Sequence, residues 1–248
     1  MRTPDPTGDD HAWERLAPWY VDHVRSGSEN HRIARDLVLE LAGPLDGRPA
    51  VLDVGCGEGH VARALAAAGA DVTAVDASAG LLAAAAAHPS GARGRSPDYR
   101  RDDARTLATV GDGTIDGVVA CLSLNDVDDL DAAVDAIDRV AAPGARAVVV
   151  IPHPCFEAPH GRWDDHGEHA SPRWHRVVPD GYLRSRFWTS GLPGSVRGEA
   201  GNHHRPLGAY VDGFTSRGWA CTALVEPDPK RALPPGTPNL LGLRFARG

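Results

Sequence analysis

The composition of this chain is that of an acidic globular protein. It has 248 residues, of which 42% are hydrophobic, and a formal net charge of −7 at pH 7, so one large domain with a substantial core fits its length. Its arginines are scattered and form no basic stripe for a phosphate backbone, so we expect no nucleic-acid partner. The apolar runs are far shorter than the roughly 20 residues of a membrane-spanning helix, so we expect no membrane partner.

The cysteines and the first residues of the chain predict a cytoplasmic location. Cys56, Cys121, Cys155 and Cys221 are far apart and do not have the spacing of a disulfide framework, which favours a reducing compartment. The N-terminal residues are polar and acidic, unlike a secretory signal. We expect a monomer or a homodimer.

Helical and strand-like segments alternate along most of the chain, which is typical of a parallel sheet covered by helices. The predicted helices are 13–25, 30–42, 60–68, 79–88, 130–141 and 206–217. The predicted strands are 50–54, 71–75, 98–101, 116–122, 145–151, 219–225 and 240–246. The expected fold class is therefore α/β, with a doubly wound sheet.

The segment after the fifth strand interrupts this alternation. Residues 152–205 are rich in His, Trp, Arg, Pro and Gly and show no sustained period, and so long a stretch without regular elements is usually functional. We interpret it as a substrate lid insert. The predicted organisation is a helical N-terminal cover (1–45), a core (46–151 and 206–248) and the lid (152–205).

The aromatic and histidine residues of the lid and the cover predict an organic substrate rather than a metal. "HGEH" (166–169) brings two imidazoles close, but the chain has neither a CxxC pair nor a helical HExxH motif, so we predict no metal site. Trp13, Tyr20 and Trp163 are the predicted substrate-binding residues, because aromatic rings wall organic ligands and exclude water. The alternative is that these rings only anchor loops to the core.

The stretch "VLDVGCGEG" predicts a ligand-binding loop at the end of the first strand. The strand ends in Asp53, Gly55 and Gly57 let the backbone turn tightly beside a ligand, and Gly59 opens the next helix. Asp76 lies at the tip of the second strand, where an acid accepts the two hydroxyls of an adenosine ribose. A dinucleotide and other nucleosides fit these features equally.

Two details separate these ligands. His60 occupies the position of the third glycine of the dinucleotide fingerprint, and Asp53 would repel a pyrophosphate at the helix N-terminus. The loop also lacks the lysine of a phosphate-binding loop. A carboxylate there suits a cation, such as the amino-acid portion or the sulfonium of S-adenosylmethionine, and disfavours a nicotinamide dehydrogenase.

These motifs resemble those of the class I S-adenosylmethionine-dependent methyltransferases. "VLDVGCGEG" is similar to their first motif, "RRDDA" to their adenine-binding acid and small residue, and "IDGVVACLSLNDVDD" with "RVAAPGARAVVVIPHP" to their fourth and fifth strands. "WERLAPWYVDHV", "IPHPCFE" and "HHRPLGAYVDGF" are similar to a small-molecule branch. The resemblance implies a Rossmann-like, mostly parallel, seven-stranded sheet with an antiparallel last strand and helices on both faces.

The resemblance also implies a set of cofactor-binding residues and S-adenosyl-L-methionine as the cofactor. The set consists of Asp53, Gly55, Cys56, Gly57, Gly59, Asp76, Ala77, Asp103, Ala104 and Cys121. Asp102 is the alternative to Asp103 as the adenine-binding acid. Asn125 and Asp126 stand where relatives often carry Glu-His or His-His, so an acid/base role at that strand tip is not carried over from the family.

A methyl acceptor that starts as O–H or ammonium must lose a proton, so a base is useful. His153 follows the fifth strand between two prolines, and His203 and His204 precede the helix that returns from the lid. We predict His153 first and His204 second as catalytic residues, because imidazole titrates near neutrality, and Asp126 as a weaker candidate. The alternative is that His153 only fixes the turn by hydrogen bonds to the backbone.

The predicted function is therefore transfer of a methyl group from S-adenosylmethionine to a nucleophilic N, O or C atom of a small organic metabolite. The intact motifs and the large insert favour an enzyme. The alternative is a regulatory or structural protein that binds S-adenosylmethionine without methyl transfer.

Overall fold

The computed structural model describes residues 12–88, 96–165, 174–192, 195–229, 234 and 236–248. Residues 1–11 of the predicted cover and the "HGEH" histidines (166–169) lie outside these ranges. The helices are α1 Ala12–Arg25, α2 Glu29–Ala42, α3 His60–Ala67, α4 Ala79–Ala87, α5 Leu130–Val140, α6 Val196–Glu199 and α7 Leu207–Thr215. The strands are β1 Ala50–Val54, β2 Asp71–Asp76, β3 Asp98–Arg101, β4 Ile115–Cys121, β5 Ala141–Pro152, β6 Arg162–Asp165, β7 Trp174–Val177, β8 Arg186–Trp188, β9 Asn202–His204, β10 Trp219–Val225 and β11 Leu240–Arg247.

Seven of these strands form one sheet in the order β10-β11-β5-β4-β1-β2-β3. The neighbours from β3 to β5 pair in parallel, whereas β11 pairs antiparallel with both β5 and β10. The order reverses direction at β1, and ligands bind at such a switch point in doubly wound sheets, outside the carboxyl ends of the strands. The predicted fold class, a seven-stranded doubly wound α/β sheet with an antiparallel last strand, is confirmed.

The central strands of the sheet are buried on both faces, which explains why they are apolar. Val149 and Ile151 of β5 belong to a core cluster shared with α5 and α7, whereas Val148 and Val150 belong to a second cluster shared with α2 and α3. Successive side chains of a strand point to opposite faces. A strand covered on both faces is therefore apolar at every position rather than at alternate ones.

The structure corrects two details of the predicted elements. β5 begins at Ala141 rather than at residue 145, because Ala141 pairs with Ile115 before the turn at Gly144. The segment 152–205 was predicted to have no regular elements, and this is wrong. It contains the pairs β6–β7 and β8–β9 and the short helix α6. Strands of three or four residues are too short to show a period in the sequence.

No helix in the described ranges is both long enough and apolar enough to cross a membrane.

Helix α2 packs closely on β11 where it crosses the sheet, because Gly242 of β11 leaves room for two leucines of that helix.

Substitution of Gly242 tests this packing. A Cβ at Gly242 would lie 2.7 Å from Cδ1 of Leu41 and 2.8 Å from Cδ2 of Leu37. Gly242→Ala should therefore lower the free energy of unfolding by about 1–3 kcal/mol, measured by urea denaturation. The control is Gly117→Ala in β4, where the added Cβ would lie 3.5 Å from Cγ2 of Val51, an ordinary contact. Equal stability of the two variants would contradict the packing described.

Candidate functional site

A cavity of about 650 Å³ opens at the carboxyl ends of β1 to β4. Its volume lies within the range of about 300–1,000 Å³ that is typical of ligand pockets. The predicted site residues that line it are Trp13, Tyr20, Gly55, Gly57, Asp76, Ala77, Asp103, Ala104, Cys121 and Asp126. The predicted site residues outside its lining are Asp53, Cys56, Gly59, His153, Trp163 and His204.

The loop between β1 and α3 is held against the end of β2 by backbone hydrogen bonds. The N–H groups of Gly55 and Cys56 both donate to the carbonyl of Val75, at 2.8 and 2.9 Å. Gly55 has a φ of 71°, and a Cβ there would lie 2.4 Å from Cβ of Ser123. The position therefore requires glycine for both its conformation and its space, and the bare backbone faces the cavity.

The carboxylate of Asp76 fixes this loop and faces the cavity at the same time. Its Oδ2 accepts from the N–H of Gly57 at 2.8 Å, and its Oδ1 accepts from the N–H of Ser78 at 2.9 Å. Burial raises the pKa of Asp76, although these two hydrogen bonds oppose the rise. Each carboxylate oxygen has a further lone pair, so Asp76 can also accept from a ligand with two hydroxyls.

Asp53 is a buried carboxylate beneath the loop. Its exposure is 1%, and Oδ2 has no hydrogen-bond partner among the described residues. Burial, and then the neighbouring Asp76, raise the pKa of Asp53 to about 7. A buried carboxylate with an unpaired oxygen is costly. A cationic group bound over the loop would reduce that cost.

The structure distinguishes the two candidates for the adenine-binding acid. Asp102 accepts from the N–H groups of Ala108 and Thr109 and from the hydroxyl of Thr109, so its carboxylate is used within its own loop. Asp103 is held by Arg105, whose Nη2 lies 2.6 Å from Oδ2, and this pairing lowers the pKa of Asp103. Asp103 is about two-fifths exposed, so it is the acid that remains open to a ligand.

Aromatic and polar side chains form the other wall of the cavity. Trp13 and Tyr20 of α1 meet edge to face with ring centroids 5.2 Å apart, and Phe187 of β8 lies 5.0 Å from the ring of His203. Burial lowers the pKa of His203 to about 4, so this imidazole is neutral at neutral pH. Asp126, in the loop after β4, also lines the cavity and pairs with Arg197 of the insert.

The structure places the two predicted histidine bases away from this cavity. The side chain of His153 is 3% exposed. Its Nε2 donates to Glu226 at 2.7 Å, while its Nδ1 accepts from the N–H of Cys155. Nε2 of His204 donates to the carbonyl of Tyr182 at 2.8 Å. Both rings are used in structural hydrogen bonds, and neither residue lines the cavity.

Trp163 is also outside the lining, since its ring stacks on Phe156 at 5.9 Å. His204 was predicted as a base rather than His203, but it is His203 that lines the cavity. Successive residues of a strand point to opposite faces, and this sequence pattern could have separated the two adjacent histidines.

Among the described residues, no three His, Cys, Asp or Glu side chains are grouped to hold a metal ion.

The chain is similar in sequence to known methyltransferases over its central part. Residues 52–149 match the family model of the methyltransferase domain. The chain is 40% identical over 107 residues to a ubiquinone biosynthesis O-methyltransferase of Bordetella avium, an alignment that covers 43% of this chain and 44% of that protein. The chain therefore spans less than half the length of this curated relative.

Solved structures show the same fold over most of the chain. An S-adenosylmethionine-dependent methyltransferase of Mesorhizobium loti has a TM-score of 0.69 at 23% identity, over 90% of this chain and 99% of that one. A glycopeptide N-methyltransferase in complex with S-adenosylmethionine has a TM-score of 0.60 at 17% identity, over 87% of this chain and 92% of that one.

Residues 52–149 of this chain match a methyltransferase domain, and the chain has the Rossmann-like fold of solved S-adenosylmethionine-dependent methyltransferases. The fold class predicted from the sequence is thereby confirmed, and the domain match and the solved structures support the predicted family and cofactor. The roles of individual site residues and of the insert remain predictions.

The burial of Asp53 predicts a stability that falls as the pH rises. With a pKa of about 7 in the folded chain and about 3.9 in the unfolded chain, this carboxyl binds more protons in the folded state between those values. The free energy of unfolding therefore decreases from about pH 4 to pH 7. Asp53→Asn should remove this decrease and be more stable than the wild type at pH 8 by about 1–4 kcal/mol.

Urea denaturation at pH 5 and pH 8, without cofactor, measures this effect. Asp116→Asn is the control, because Asp116 accepts from the N–H of Ala50 at the amino ends of β4 and β1, away from the cavity. If Asp53→Asn and wild type lose the same stability between pH 5 and pH 8, the assigned pKa is wrong.

Proposed function

We propose that the chain transfers the methyl group of S-adenosylmethionine to a nucleophilic N, O or C atom of a small organic metabolite. The observation that carries this proposal is a single cavity with two different walls. One wall has the glycine loop and the carboxylates of a nucleoside site, and the other has aromatic rings from α1 and the insert. A cofactor alone does not need the second wall.

The residues of the first wall fit S-adenosylmethionine in their chemistry. Asp76 would accept the ribose hydroxyls, and Asp103 with Ala104 would receive the adenine amino group. Oδ2 of Asp53 is buried and has no hydrogen-bond partner among the described residues. A cationic ligand would offset the charge of this carboxylate. When bound, the cofactor supplies an activated methyl group on a sulfonium.

The residues of the second wall would hold the acceptor and exclude water. Methyl transfer is an in-line displacement, so orientation of the acceptor is the main contribution that a protein can make. Trp13, Tyr20 and Phe187 offer rigid apolar faces for this purpose. His203 is the neutral imidazole beside them, and it can accept a proton from the acceptor.

The domain organisation remains part of this proposal. The N-terminal cover (1–45) and the insert (152–205) both lie outside the matched domain, residues 52–149. They contribute Trp13, Tyr20, Phe187 and His203 to the cavity. We therefore assign acceptor recognition to these two segments.

An S-adenosylmethionine-binding protein without methyl transfer is the alternative function. Cofactor binding does not distinguish the two functions. Formation of S-adenosylhomocysteine that depends on an added small molecule does, and its absence across a broad metabolite panel favours the alternative.

Substitution of Asp76 tests the cofactor site. Asp76→Ala should weaken S-adenosylmethionine binding by about 1.5–3 kcal/mol for each charged hydrogen bond lost, measured by calorimetry. Asp116→Ala is the matched control. The carboxylate of Asp116 also accepts from a backbone N–H, but at the amino ends of β1 and β4 rather than at the carboxyl ends that form the cavity. Wild-type affinity in Asp76→Ala, with NADH as a competitor for the cavity, would show that the ligand is wrongly assigned.

The three histidines give a second test, which separates proton transfer from structure. His203→Gln should lower the turnover rate by about tenfold with little change in cofactor affinity, because a pKa of about 4 makes this imidazole a weaker base than one that titrates near neutrality. His153→Gln and His204→Gln should mainly lower the melting temperature, because their rings hold Glu226 and the carbonyl of Tyr182. Near-wild-type turnover in His203→Gln, with saturating substrates, would mean that this ring takes no proton.

A further inference from the structure

Asp126 differs from the other aspartates that line the cavity. Those others have hydrogen-bond donors on both carboxylate oxygens, and they are Asp76, Asp102, Asp103 and Asp128. In Asp126, Arg197 Nη1 and Asn125 Nδ2 both donate to Oδ1, each at 2.8 Å. No described residue donates to Oδ2. The side chain is 14% exposed, so one carboxylate oxygen is left for a ligand of the cavity.

The neighbours of Asp126 fix its position without using this oxygen. Arg197 of α6 bridges Asp126 to the carbonyl of Gly201, at 2.9 Å, and the N–H of His203 donates to the carbonyl of Asn125 at 2.8 Å. The insert therefore holds the carboxylate in place. A fixed carboxylate loses little rotational freedom on binding, which strengthens recognition by that group.

The charges and rings around Asp126 favour a cation. The carboxylates of Asp126 and Asp76 both act on Tyr20 and, after burial, contribute to its raised pKa, so the aromatic ring of Tyr20 lies in the field of both acids. Trp13 and Phe187 complete an aromatic wall. A carboxylate beside aromatic faces attracts a positive group, whereas an anionic acceptor would be repelled.

We propose that the methyl acceptor carries a basic amine, whose ammonium N–H donates to Oδ2 of Asp126. This inference rests on the proposed function and narrows its acceptor to cationic metabolites. An ammonium compensates a partly buried carboxylate by a charge-assisted hydrogen bond. A neutral hydroxyl would satisfy the oxygen, but it would add no positive charge to a wall where Arg197 pairs with Asp126 and the nearby carboxylate of Asp76 has no ion-pair partner among the described residues.

The first experiment asks which metabolites receive the methyl group, using the wild-type protein. S-adenosylmethionine with an isotopically labelled methyl group is incubated with the protein and with two fractions of a small-molecule cell extract. One fraction is retained on a cation exchanger and the other is not. The expected result is labelled product from the retained fraction only.

The other outcomes separate this inference from the proposed function. Label transferred to the unretained fraction alone overturns the inference and leaves methyl transfer intact. Label in neither fraction, while calorimetry shows cofactor binding, overturns the proposed transfer and the inference with it.

The second experiment tests Asp126 directly. Asp126→Asn keeps an oxygen for Arg197 but removes the charge, so the half-saturating concentration of the retained fraction should rise about 10- to 100-fold, with cofactor affinity unchanged. Asp126→Glu keeps the charge and should preserve the preference for the retained fraction. The control is Asp135→Asn, because Asp135 is 67% exposed in an ion pair with Arg217. An unchanged half-saturating concentration in Asp126→Asn contradicts the proposal. A lower cofactor affinity or melting temperature in place of that rise also contradicts it, because it would show a purely structural role.

Discussion

The hydrogen bonds between the first loop and the end of β2 are the constraint on which the rest of the site depends. The carbonyl of Val75 accepts from Gly55 and Cys56, and Asp76 accepts from Gly57. These bonds bring the two strand tips together and leave the loop without side chains on its cavity side. Ser123, in the loop after β4, packs directly on Gly55. This contact positions the end of β4 beside the ends of β1 and β2. One carboxylate thus organises the loop and remains able to accept from a ligand.

The core elements were predictable from the sequence because their causes are local. Buried strands of the parallel sheet are continuous apolar runs, and glycines mark the turns where a side chain cannot fit, as at Gly55 and Gly59. The choice between Asp102 and Asp103 was not predictable in the same way. Both acids follow β3, and only the folded loop, which supplies Ala108 and Thr109 as donors to Asp102, separates a structural acid from an open one.

The insert shows the limit of sequence reasoning more clearly. Its strands have three or four residues, so neither their period nor their partners can be read from composition. His153 stood between two prolines at the expected edge of the sheet, but Glu226, 73 positions away in the sequence, takes its Nε2. Long-range pairing decides whether an imidazole is a base or a structural donor. His203 and His204 differ only in the face of β9 to which they point.

The two walls of the cavity have different origins in the chain, and this has a consequence for specificity. The cofactor wall comes from strand tips within residues 52–149, whereas α1, β8 and β9 supply most of the aromatic wall. The two are joined at Asp126, which belongs to the β4 loop but is held by Arg197 of the insert. Some residues of α1 also act on the cofactor wall, because Arg25 pairs with the buried Glu58 of the glycine loop and Glu14 accepts from the hydroxyl of Ser78 beside Asp76. A change at Arg197 is different, because it releases the carboxylate of Asp126. Acceptor recognition and the position of the insert are therefore coupled through the ion pair of Arg197 with Asp126.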